Sequence, residues 1–210
     1  QTVDDVWNAT ITPKDTYGNI TDGDNAVVFS VSPAGGSLYI NGTVGSTVDT
    51  SNCDSTDAGV TFTSQYDTPA TINLVANDTV NAINSTSAST VTITPGAVAT
   101  ITVVTQPASQ VTASGSTTFT VSAVDQFGNT VADGTAITMS WRDGSAPTNS
   151  GTPGGFTATT VYTTSGQATG TFTVSNYAGT SSANADDFIL TASAGTGTVD
   201  SNEITVTPLT

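Results

Sequence analysis

Aspartate oxygens supply nearly all of the chemistry available to this chain. It carries 17 acidic residues against one Lys and one Arg, has no His, and bears a net charge of -15. Carboxylate oxygens are hard ligands, so the cofactor they could hold is Ca²⁺. Two groupings would serve. Asp15 and Asp125 head the related pentapeptides DTYGN and DQFGN, the first followed by the acidic loop of Asp22 and Asp24. Asp4, Asp5, Asp22, Asp24, Asp186 and Asp187 could instead share an ion near a unit boundary. The EF-hand spacing is absent, and solvated surface acids are the plainer reading.

Other chemistry is disfavoured by what is missing. A nucleophilic triad needs an imidazole or amine base, and Lys14 falls at an outward position of its strand. No Asp pair stands in a cleft-forming context, so no catalytic residue is expected and no cofactor other than Ca²⁺. With so few cations to displace phosphate counterions, nucleic acid is not an expected partner. Cys53 is the single cysteine, which rules out an internal disulfide. No apolar run reaches the roughly 20 residues of a membrane span, so no insertion is expected from this segment.

Modification offers a clue to compartment. Asn8, Asn19, Asn41, Asn77 and Asn84 each begin an Asn-x-Thr triplet, the acceptor for N-linked sugar. Together with the near-absence of Lys and Arg, which deprives trypsin-like proteases of sites, these triplets point to an extracellular, cell-surface setting.

The positioning elements emerge from a repeat. Asp125 follows Asp15 by 110 positions, and the residues around the two pentapeptides fall into register. ATITPKD (Ala9 to Asp15) faces FTVSAVD (Phe119 to Asp125), and AVVFSV (Ala26 to Val31) faces AITMSW (Ala136 to Trp141). VTFTS is set against GTFTV, with Phe62 over Phe172, and TINLVA (from Thr71) against FILTAS (from Phe188). The halves close on STVTITP and NEITVTP. Apolar and polar residues alternate through these segments, the period of half-buried strands, and Gly, Asn and Ser fill the gaps. The chain reads as all-β: a duplication of β-sandwiches over residues 1–96 and 97–210. In each pentapeptide the Asp would accept amide hydrogen bonds while Gly takes a positive φ, making a turn whose aromatic is expected to plug the end of the sandwich.

Asp125 to Gly134 (DQFGNTVADG) and the junction TITPGAVATITVVTQP (Thr92 to Pro107) resemble bacterial immunoglobulin-like repeats of the invasin and intimin type and the sandwiches of surface-layer proteins. The resemblance implies two tandem immunoglobulin-like domains. The second opens with ATITVVTQP, for which the first has no counterpart, so the first lacks its opening strand. Pro95, Gly96 and Ala97 form a linker too short to hinge freely, which predicts a stiff rod of about 35 to 45 Å per unit. The expected role is a non-catalytic structural component of the cell exterior, a surface-layer or filament subunit cut from a longer array. Its partners would be copies of itself or further repeats, with a strand donated at the open edge. Stalk repeats of an adhesin, or an accessory module of a secreted carbohydrate-active enzyme stacking sugars on Trp7 or Trp141, are the alternatives.

Overall fold

The computed structural model describes residues 1–20, 26–45, 47–49, 59–78, 80, 83–85, 89–145, 152–175 and 187–207. These residues form strands, turns and loops, with no helix among them. They fall into two compact units, Gln1–Gly96 and Ala97–Thr210.

The first unit contains β1 (Trp7–Ile11), β2 (Ala26–Ser32), β3 (Leu38–Ile40), β4 (Thr43–Val44), β5 (Thr47–Asp49), β6 (Val60–Tyr66), β7 (Ala70–Asp78), β8 (Ile83–Asn84) and β9 (Ser89–Ile93). One sheet has the order β1-β6-β3-β4; the other runs β5-β2-β7-β8, with β9 also on β7. Alternation drives the packing: Val27 and Phe29 of β2, Phe62 and Tyr66 of β6, and Ile72 and Leu74 of β7 all turn inward and are buried. Phe29 and Phe62 join the two sheets, their ring centroids 4.7 Å apart.

The second unit contains β10 (Thr100–Thr105), β11 (Gln110–Thr112), β12 (Ser116–Val124), β13 (Ala136–Asp143), β14 (Gly154–Phe156), β15 (Thr160–Tyr162), β16 (Gln167–Val174), β17 (Asp187–Ala194), β18 (Gly197–Asp200) and β19 (Ile204–Thr207). Its sheets are β10-β12-β16-β14 and β11-β19-β17-β13-β15, with β18 also on β17. Phe172 of β16 stacks on Phe188 of β17 at 4.8 Å and meets the edge of Phe156 at 5.2 Å. The chain enters this unit beside the Asp125 turn, where Ala99 donates to the Val124 carbonyl. It leaves at the opposite end, where Thr207 pairs with Thr112 just ahead of β12.

The two units share one frame. The bridges Lys14↔Ile20 and Val124↔Thr130 occupy the same place, and Gln1–Val3 runs parallel to the last strand through Thr2↔Thr94 as β11 does through Thr112↔Thr207. Val3 is accordingly fully buried. No counterpart of β10 exists among the described residues of the first unit, where β1 pairs with β6 alone.

Two expected matches shift. With β1 and β12 superposed, Ala9 lies opposite Phe62 but Phe119 lies opposite Gly170, so Phe62 corresponds to Gly170 and Ser64 to Phe172. The volume is exchanged across the strands: Ala with Phe in one unit, Phe with Gly in the other. A Cβ on Gly170 would come within 2.9 Å of Phe156 and 3.1 Å of Met139, which leaves room for glycine alone. In the other sheet Val31 pairs with Leu74 and Trp141 with Leu190, so Ile72, rather than Thr71, corresponds to Phe188. The one-residue slip is corrected by facing, since it would turn the inner side chains of that strand outward.

Candidate functional site

Both pentapeptides close the same turn. The Asp15 Oδ1 accepts the N–H groups of Tyr17 and Asn19, each at 2.9 Å, and its Oδ2 accepts the Asn19 side-chain amide at 3.0 Å. Asp125 accepts Phe127 and Asn129 N–H at 2.9 Å, and the Asn129 amide at 3.1 to 3.2 Å. Gly18 and Gly128 take φ values of +88° and +83°, in the left-handed region that a side chain would strain. The Asn19 side chain, its backbone amide and the other turn bonds hold the Asp15 carboxyl below its ordinary range against a small desolvation effect in the opposite sense. These carboxylates are oriented by the turn itself, which is structural chemistry.

The aromatic of the first turn does not plug the sandwich: Tyr17 is 90% exposed. Phe127, its N–H tied to Asp125 as that of Tyr17 is to Asp15, is 36% exposed and thus largely covered.

The remaining acids scatter. Asp5 accepts the Thr2 amide at 2.6 Å, and Asp4 lies against Gly96, both at the end of the first unit opposite Asp15. Asp187 begins β17, with Oδ1 buried and without a hydrogen-bond partner among the described residues. Among the described residues no group of three His, Cys, Asp or Glu side chains is placed to hold a metal. Asp22, Asp24, Asp186 and Cys53 lie outside the described residues.

The acceptor asparagines differ in access. Asn8, Asn41 and Asn84 are exposed, and Asn41 accepts from Thr63 through its side-chain oxygen. Asn19 and the half-buried Asn77 commit their amide nitrogens, to Asp15 and to the Ser30 hydroxyl.

Two polar pairs were not legible in the sequence. Arg142 of β13 reaches across β17 to Asp200 of β18 at 2.8 Å, and Asp200 also accepts the Thr191 hydroxyl. The Thr191 bond, followed by that from Arg142, lowers the Asp200 pKa. Glu203 accepts the Ser145 amide and hydroxyl, which lowers its pKa too. Trp7 and Trp141 are half-buried and packed against their cores.

The most distinctive surface is backbone. Thr63 bonds Asn41 through both its N–H and its C=O, so Phe62 and Ser64 turn theirs to β1, where they oppose Ala9 and Trp7. Asn8 and Thr10, alternating with these, therefore point their N–H and C=O groups away from β6, to the side of β1 on which no strand among the described residues pairs. Along the inner face of this strand Trp7, Ala9 and Ile11 are only half-buried. Their counterparts Thr117, Phe119 and Val121 are 7%, 0% and 0% exposed, and β10 pairs with β12 over Thr120 to Val124.

No helix among the described residues is long and apolar enough to cross a membrane. No protein-family model matches the chain. No curated protein matches it either. Among solved structures, FdeC, described as a broadly conserved Escherichia coli adhesin, is similar at 17% identity and a TM-score of 0.53. The alignment covers 100% of this chain and 61% of that one, so the chain spans less than two thirds of FdeC. InvE, an adhesin of Yersinia pseudotuberculosis, matches at 18% identity with a TM-score of 0.46, over 98% of this chain and 55% of that one. Intimin matches at 16% identity with a TM-score of 0.37, over 96% and 89%. The all-β sandwich architecture, common to this chain and FdeC, is immunoglobulin-like.

Proposed function

We propose that this chain is a non-catalytic structural component of the cell exterior, a surface-layer or filament subunit drawn from a longer immunoglobulin-like array. The observation that carries the reading is the use made of its polar groups. The pentapeptide carboxylates are consumed in closing turns, and Arg142 in bracing neighbouring strands, so the described surface offers shape and backbone in place of reactive side chains. A unit entered at one end and left at the other is suited to joining in series. Partners are then copies of the chain or further repeats, with glycans on Asn8, Asn41 and Asn84 and Ca²⁺ offsetting repulsion between acidic faces.

Electron microscopy of the purified protein, with and without Ca²⁺, tests this reading. Regular sheets or filaments support it, and a protein that stays monomeric under all assembly conditions counts against it. The stalk of an adhesin is the second reading, favoured by the match to FdeC over the whole of this chain. Monomers that project a distal binding domain in the full-length protein would select it.

A further inference from the structure

We propose that Asn41 and Gly42 form a self-modifying site, at which the Gly42 nitrogen attacks the Asn41 side-chain carbonyl, ammonia leaves, and water opens the ring to aspartate or isoaspartate. This is the one Asn-Gly step in the chain. It makes the two-residue turn between β3 and β4, with Ile40 paired to Thr43 and φ values of +51° at Asn41 and +78° at Gly42. Both residues are exposed, and nothing lies within 4 Å of the point where a side chain would begin on Gly42. The nucleophile is unscreened.

Electrophile and nucleophile are held by different strands. The Asn41 N–H donates to the Thr63 carbonyl at 3.0 Å, while the Asn41 Oδ1 accepts the Thr63 N–H at 3.1 Å and the Thr63 hydroxyl at 3.3 Å. The carboxamide thus continues the ladder onto β6 in place of a main-chain carbonyl. Two donors on one carbonyl oxygen draw charge from Cγ and stabilise the oxyanion that forms on attack. Gly42 lies on the other arm. In the closed turn the Asn41 ψ of about +30° points the Gly42 nitrogen away from Cγ. Among the described residues β4 is two exposed residues paired only to β3, so it opens locally at low cost. Swinging β4 rotates ψ and brings the nitrogen to Cγ while Thr63 keeps the side chain in place.

The chemistry needs only a solvent base and water. The Gly42 nitrogen gives up its proton and bonds to Cγ; the Cγ–Nδ2 bond then breaks, and Nδ2 takes a proton and departs as ammonia. Water entering at Cγ yields aspartate, and water entering at the Asn41 main-chain carbonyl yields isoaspartate. No electrons change hands, one negative charge is added, and the Asn-x-Thr acceptor is consumed. A sugar on Nδ2 would hinder its departure, so copies left bare at Asn41 lose the acceptor for good. That link rests on the glycan reading given above, and the ring closure does not.

The test incubates the unglycosylated full chain, folded and at mildly alkaline pH, beside a free peptide of residues 36–45. Chymotryptic mapping and isoaspartyl methyltransferase labelling read the conversion. Asn41 should convert within about tenfold of the peptide's rate, the reach of a low-cost opening. Asn8 and Asn84, exposed but followed by Ala and Ser, should stay intact. Gly42→Ala should slow the reaction about tenfold or more, although its φ strains the turn. Thr63→Val keeps the strand and its N–H, loses the hydroxyl, and should slow conversion several-fold with the melting profile retained. Conversion more than about tenfold slower than in the peptide, or a Thr63→Val rate equal to or above that of the unaltered chain, would overturn the proposal. A bare Asn41 in the native protein would count against the glycan reading, whereas these rates bear on ring closure alone.

Discussion

β1 and β12 are the same strand in two settings. Each leads into an Asp-headed turn with the same hydrogen bonds, yet Phe119 and Val121 are sealed from solvent while Ala9 and Ile11 are not. Sequence explains part of the contrast, since Ala replaces Phe at one position. The rest follows from β10, which converts β12 from an edge into an interior strand. One added strand supplies both a second ladder of backbone bonds and a cover for the inner face. In the first unit, where no such strand stands among the described residues, the core rests on Phe29, Phe62, Tyr66 and Ile72.

The largest expected effect separates the two cores. Phe119→Ala should lower the stability of the second unit by about 3 to 5 kcal/mol, the usual cost of emptying a sealed aromatic site. Ile11→Ala in the first should cost about 1 to 2 kcal/mol, because water already reaches the side chain. Chemical denaturation followed separately through Trp7 and Trp141 would distinguish the two transitions. Equal losses would break the comparison.

The turns come next. Asp125 is 2% exposed, so Asp125→Ala takes a shielded acceptor from the amides of Phe127 and Asn129 and should cost about 2 to 3 kcal/mol. Asp15→Ala removes the same bonds at an exposed site, where water replaces them, and the loss should be smaller. Acid sharpens the point. The folded Asp15 pKa lies below its ordinary 3.8, so its contribution is present above that value and fades as pH falls through the lower folded pKa. Asp15→Asn should flatten this part of the first unit's melting curve against pH.

A smaller gain is expected from repair. Placing the sequence of residues 99–110 directly before Gln1, where the second unit carries it, should stabilise the first unit by about 1 to 2 kcal/mol by covering Ile11 and its neighbours. Calorimetry should show the first transition rising and the second unmoved.

Much of this was legible in the residues. Alternation placed β1, β2, β12 and β13 with the correct faces inward, and aligning the pentapeptides set β1 against β12. Those signals are local. Register between strands is not: VTFTS and GTFTV look alike, but their Phe residues sit two positions apart because Ala9 and Phe119 demand opposite volumes from the partner strand. Likewise the two turn aromatics look alike in sequence, yet with the same N–H to Asp bond Tyr17 is 90% exposed and Phe127 36%. The Arg142–Asp200 pair joins residues 58 apart in sequence, and only the β13-β17-β18 order brings them together.

Native-state amide hydrogen exchange on the isolated protein addresses the account's central claim directly, because it compares one strand in its two settings residue by residue. The N–H group of Thr10 should exchange orders of magnitude faster than that of its counterpart Thr120, while Ala9 and Phe119, bonded inward in both units, remain protected. Equal protection of Thr10 and Thr120 would mean that the two strands do not differ in their settings.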